Sequence, residues 1–282
     1  MAVRDQAHRL RELLKNGYSR KAKVLTIASG KGGVGKSNIS LNLGIALARF
    51  GKQVLLFDAD VGLANLHILM GLVPKYNISH VVNGQKTLDE IIQRTDYGID
   101  LIAGASGILQ LVNMDSASRA HLQESLKRLE TFYDYIIMDA GAGASENVVS
   151  FCRMADEIIV VTNPETTAIA DAYGFIKVLS QIEPDARIRL IINRVKSNVE
   201  GLKAARKIIN TAAQFLNFKV EELGFVFEDP AVQDAVAKQT PFVVAYPRSK
   251  ASSYIFLIAR RLEEHQDVKK PGRGLFSWLF GE

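Results

Sequence analysis

Residues Gly30 to Ser37 read GKGGVGKS, and this spacing of glycines, lysines and a hydroxyl is suited to holding a chain of phosphates. Glycines at 30, 32, 33 and 35, with Val34 between the last two, let successive backbone N–H groups turn inward around phosphate oxygens. A helix expected from Asn38 to Phe50 directs the positive end of its dipole at the same point. In this arrangement Lys36 reaches β- and γ-phosphates, and the Ser37 hydroxyl holds Mg²⁺. Further along, the carboxylates Asp58, Asp60 and Asp139 each follow a short apolar run, VLLF or YIIM.

Those residues are useful only if the chain brings them together. Short β-branched runs alternate with helical patterns: Val24 to Ala28, Val54 to Phe57, Ile99 to Ala103, Tyr135 to Met138, Ile158 to Val161 and Arg187 to Ile192. Several are apolar at every position, as expected of strands covered by helices on both faces. The fold class read from this rhythm is α/β, a doubly wound and mostly parallel sheet. Ligands of such sheets sit at the carboxyl ends of the strands, so the loops after Ala28, Phe57, Met138 and Ile192 are expected to converge.

With Lys31 inside the phosphate loop, Lys31 to Ser37 matches the KGGxGK[ST] pattern and resembles the MinD/ParA family of deviant Walker A ATPases. The resemblance spans about residues 22 to 262. It implies ATP/ADP and Mg²⁺ as cofactors and a homodimer in the ATP state, in which Lys31 reaches the partner subunit's phosphates. Supplying a cation in trans makes catalysis conditional on assembly, like an arginine finger. By the same resemblance, Asp58 to Leu66 is a first switch, with Asp58 supporting the Mg²⁺ shell and Asp60 positioning or deprotonating the attacking water, and Ser37, Asp58, Asp60 and Asp139 make up the expected Mg²⁺ set. Asp139 resembles the Walker B carboxylate, Asn193 an adenine-reading amide, and Arg194 and Pro230 neighbours of the base. Asn38 stands where the family often has threonine, one residue past the Mg²⁺ ligand. Glu146 and Asn147 resemble dimer-interface positions.

Both ends read as appendages to this body, giving segments 1–22, 23–266 and 267–282. Residues 1 to 23 hold seven Lys/Arg against Asp5 and Glu12. Within them Val3, Ala7, Leu10 and Leu14 form one helical stripe. The run DQAHRLR, carrying Asp5, Gln6, Leu10 and Arg11, matches the DQAxxLR motif of the flagellar-number regulators of this family. That match implies stimulation of FlhF, a GTPase related to those of the signal recognition particle, with flagellar C-ring proteins as further partners. At the other end Leu275, Phe276, Trp278, Leu279 and Phe280 share a broad helical face behind Lys269, Lys270 and Arg273. This composition suits a short anchor on an anionic membrane; folding back into a groove of its own dimer is the alternative.

Composition excludes several other classes. One cysteine, Cys152, allows no disulfide within the chain and half the pair that a nitrogenase-type iron protein needs, so a buried thiol is expected. The five histidines show no metal-ligand spacing. The start lacks a secretory apolar core and no run approaches the ~20 apolar residues of a spanning helix, which implies the cytoplasm, with peripheral attachment to the inner face of the cell membrane. From Arg187 to Lys207 seven basic residues face one acid, Glu200, the sole support for a ParA-type nucleic-acid binder. A MinD-type division-site ATPase shares the engine and the tail, but its body begins almost at the first strand, whereas ~20 residues precede it here. No acceptor motif marks a small-molecule kinase.

Overall fold

The computed structural model describes residues 22–60, 65–104 and 116–264, with side chains in the last stretch from residue 124. Chain order runs β1 (Lys23–Ser29), α1 (Lys36–Arg49), β2 (Val54–Ala59), α2 (Leu66–Leu69), α3 (Ile78–Val82), α4 (Leu88–Ile91), β3 (Gln93–Arg94) and β4 (Asp100–Ile102). It continues with α5 (Ser116–Phe132), β5 (Tyr135–Ala142), α6 (Glu146–Arg153), β6 (Glu157–Thr162), α7 (Thr166–Ile182), β7 (Ile188–Val195) and α8 (Asn198–Leu216). The last elements are β8 (Val220–Phe227), α9 (Pro230–Ala237), α10 (Phe242–Ala245) and α11 (Lys250–Glu264).

The strands form one sheet in the order β3-β4-β2-β5-β1-β6-β7-β8. All pairings are parallel except β3 with β4, so the expected doubly wound sheet is present. The first strand lies inside the sheet, and the chain winds outward from it on both sides. Alternate residues of the apolar strands feed two cores. Leu25, Ile27, Leu56 and Ile137 meet α1 and α11 through Leu43, Leu47, Ile255 and Ile258. On the opposite face Val24, Ile136, Met138 and Val160 meet Phe151, Phe175, Leu179 and Ile208. Each such fully buried side chain contributes roughly 1.5–3 kcal/mol, several times the worth of a surface ion pair, so apolar layering holds the sheet together.

Cys152 is buried in this second core as a free thiol, and burial alone pushes its pKa up, out of the reactive range. At the amino-terminal edge of the sheet, Glu157 is fully buried between Lys23 Nζ at 2.9 Å and Arg189 at 3.1 Å. Arg187 is divided between Glu157 and Glu221. Two of the basic residues in the 187–207 stretch are therefore engaged within the sheet edge.

Two strands escape the sequence pattern. The two-residue β3 is too short to show a period. In β8, Glu221 and Glu222 interrupt the apolar run, which an edge strand paired only with β7 tolerates. Gly224 in β8 admits α11: a Cβ there would stand 2.7 Å from Ile258 Cγ1.

Candidate phosphate and metal site

The turn between β1 and α1 has the conformations its glycines allow. Gly33 and Gly35 adopt φ of 78° and 93°, in the left-handed region open to glycine at little cost. Gly30 serves a different purpose, since a Cβ there would lie 2.2 Å from the backbone oxygen of Asp171, where α7 crosses the loop. At Gly35 a Cβ would stand 2.3 Å from Asn193 Nδ2. Val34 is buried beneath the loop, and Gly32 is open to solvent.

Three neighbouring strands, β2, β5 and β1, deliver the remaining groups. Asp58 and Asp139 are direct register partners on β2 and β5, so the two carboxylates stand side by side, both about 1% exposed. Lys36 Nζ donates to Asp139 Oδ1 at 2.9 Å and lies 3.3 Å from Ser37 Oγ. Asp139 Oδ2 is buried and has no hydrogen-bond partner. Burial, and then the charge of Asp139, push the Asp58 pKa up to about 7; backbone N–H groups of Leu66 and Asp60 and the charge of Lys36 act in the other direction. Asp60 follows two residues on, beside the carboxyl end of β5: a Cβ on Gly141 would stand 3.5 Å from its Oδ1.

This donor set fits a divalent cation beside a polyphosphate. Two adjacent carboxylates, one with an orphaned buried oxygen, are short of positive charge, and the Ser37 hydroxyl lies at the start of α1 next to them. Among the described residues no group of three or more His, Cys, Asp or Glu forms a metal cage. Magnesium prefers few protein ligands together with phosphate and water oxygens, so a sparse set is the appropriate one.

The profile of the CobQ/CobB/MinD/ParA nucleotide-binding domain matches residues 25–242, from β1 to the first residue of α10. The chain belongs to the MinD/ParA family. It is 35% identical over 247 residues to the antiactivator FleN of Pseudomonas aeruginosa, covering 88% of each chain. It is 37% identical over 219 residues to the flagellum site-determining protein YlxH of Helicobacter pylori, covering 74% of this chain and 73% of that one. Among solved structures it superimposes on the septum site-determining protein MinD of Pyrococcus horikoshii complexed with Mg-ADP. That match has a TM-score of 0.69 and 26% identity over 89% of this chain and 99% of that one.

The lysine that distinguishes the MinD/ParA pattern, Lys31, projects away from the loop's interior. Its Nζ donates to Thr167 Oγ1 at 3.0 Å and lies 3.6 Å from Glu165 Oε2, with much of both ionic side chains in solvent. An ion pair this exposed is worth at most ~1 kcal/mol, so the lysine is easily released. Glu165 is the N-cap of α7 and Thr167 lies in its first turn, directly after the loop that follows β6. Sequence reasoning named the loops after four strands and passed over this fifth one, TNPETT, although the carboxyl-end rule applies to it equally.

On β7, Asn193 is buried and its Nδ2 donates to the Val34 carbonyl at 2.8 Å. The amide thus braces the back of the phosphate loop and keeps its oxygen as an acceptor. Arg194 is exposed with φ of 57°, where the β7–β8 register shifts. Pro230 is exposed at the first turn of α9, capped by the Asp229 side chain. Asn38 is half-buried on α1, and its carbonyl accepts from Asn42. Glu146 begins α6 after the Ser145 cap. Asp5, Gln6, Leu10 and Arg11, the tail residues Leu275, Phe276, Trp278, Leu279 and Phe280, and switch positions 61–64 lie outside the described residues.

Proposed function

We propose that the chain is an ATP-hydrolysing, dimerising switch of the MinD/ParA type that regulates flagellar number or placement. The observation that carries the enzymatic part is the convergence of the glycine loop, Lys36, Asp58 and Asp139 at the ends of three adjacent strands. The flagellar part is supported by the likeness to FleN and YlxH together with DQAHRLR at residues 5–11.

In this reading the backbone N–H groups of Gly30 to Lys36 cradle the triphosphate, and Lys36 exchanges Asp139 for phosphate oxygens. Ser37, with Asp58 and Asp139 behind it, holds Mg²⁺, which when bound neutralises charge on the β- and γ-phosphates. Asp60 orients the attacking water and takes its proton. Lys31 leaves Glu165 and Thr167 to reach the γ-phosphate of a second copy, so turnover follows assembly. Residues 275–280 attach the ATP-bound dimer to the inner face of the cell membrane. One such turn binds marginally, whereas two on one particle gain through effective concentration.

The N-terminal segment distinguishes this reading from a division-site role. A peptide of residues 1–23 added to the GTPase FlhF is expected to raise its GTP turnover, measured by phosphate release. An unchanged rate would remove the flagellar assignment and leave a MinD-type switch in its place.

A further inference from the structure

Ser40 lies one helical turn beyond Lys36 on α1 and is fully buried. Its hydroxyl has two acceptors within reach, the Lys36 carbonyl at 3.1 Å and Asp139 Oδ1 at 2.7 Å. A hydroxyl has one proton, and the shorter contact to a carboxylate is the stronger bond. Asp139 Oδ1 therefore accepts from two donors, Ser40 and Lys36, while Oδ2 has none.

The two donors differ in what happens when a triphosphate arrives. Lys36 has a long flexible stem, and it must leave Asp139 to serve the phosphates. Ser40 is fixed by the backbone of a buried helix and stays. We propose that Ser40 is a positioning residue for magnesium: it holds Oδ1 after Lys36 departs, so that Oδ2 remains the oxygen turned to the cation's shell. Without it the carboxylate is free to rotate about its terminal bond at the moment its geometry matters. This role rests on the phosphate-site reading above, and it concerns Mg²⁺ rather than nucleotide binding as such.

The test is a titration of fluorescently labelled ATP binding to the full chain, with Mg²⁺ varied and with EDTA as reference. Ser40→Ala is expected to raise the Mg²⁺ concentration for half-maximal enhancement about ten-fold, while affinity in EDTA changes by less than about two-fold. Ser40→Thr, which keeps the hydroxyl, is expected to retain the wild-type requirement. An unchanged Mg²⁺ requirement in Ser40→Ala overturns the proposal, and so does an equal loss with and without Mg²⁺, which a purely structural hydroxyl would produce. If Ser40→Ala does not fold by circular dichroism, Ser40→Cys, similar in size and a weak donor, is read by the same criteria. A wild-type chain with no affinity for labelled ATP instead overturns the phosphate-site reading and this inference with it.

Discussion

Asp58 is the residue at which burial and the proposed role conflict most openly. A carboxylate on an inner strand, next to a second carboxylate, is held near pKa 7 by desolvation and by its neighbour. The sign of the linkage follows. An acid whose folded pKa lies above its unfolded value binds its proton more tightly when folded, so its contribution to stability grows as pH falls from about 7 towards 4 and is lost as pH rises through 7. Asp58→Asn is expected to stabilise the nucleotide-free protein at pH 8 by a few kcal/mol at most, and to flatten the fall in melting temperature between pH 6 and 8. A melting curve of Asp58→Asn with the wild-type pH slope would show that the carboxylate is already relieved. At this scale the phosphate loop was legible because its groups are consecutive. Ser40, Thr167 and Glu165 were not, because their partners lie 99, 136 and 134 positions away and only the fold brings them together.

Among the elements, inner strands were the easiest to read. Runs such as VLLF, YIIM and IIVV are apolar at every position because helices cover both faces, and they mark β2, β5 and β6. The edge strand β8 carries glutamates at 221 and 222 and lost its signal. The last helix, α11, carries the chain back along the sheet from Lys250 to Glu264. Its final turn is tied to the amino-terminal edge of the sheet, where Glu263 accepts from the Tyr135 hydroxyl and pairs with Lys52. Residue 264 therefore stands at the end of the sheet opposite the phosphate loop. Deleting residues 268–282 is expected to abolish sedimentation with anionic vesicles in Mg-ATP without weakening labelled-ATP binding. Undiminished sedimentation of the truncated chain would contradict the anchor.

At the scale of the whole molecule, one sheet separates two ends that carry different groups. The phosphate loop, the carboxylates and Lys31 occupy the carboxyl end of the strands, while Lys23 and α11 bring residues 22 and 264 to the other. Among the described residues no helix is long and apolar enough to cross a membrane. The proposed switch needs the nucleotide end to report to the far end, and assembly of two copies through Lys31 is the proposed means. The decisive measurement is molar mass by light scattering of Asp60→Ala, impaired in hydrolysis, with saturating Mg-ATP. A mass near twice 31.1 kDa is expected, returning to the single-chain value when Lys31→Ala is added. A single-chain mass for Asp60→Ala with nucleotide bound, or a dimer that survives Lys31→Ala, would contradict the shared phosphate site.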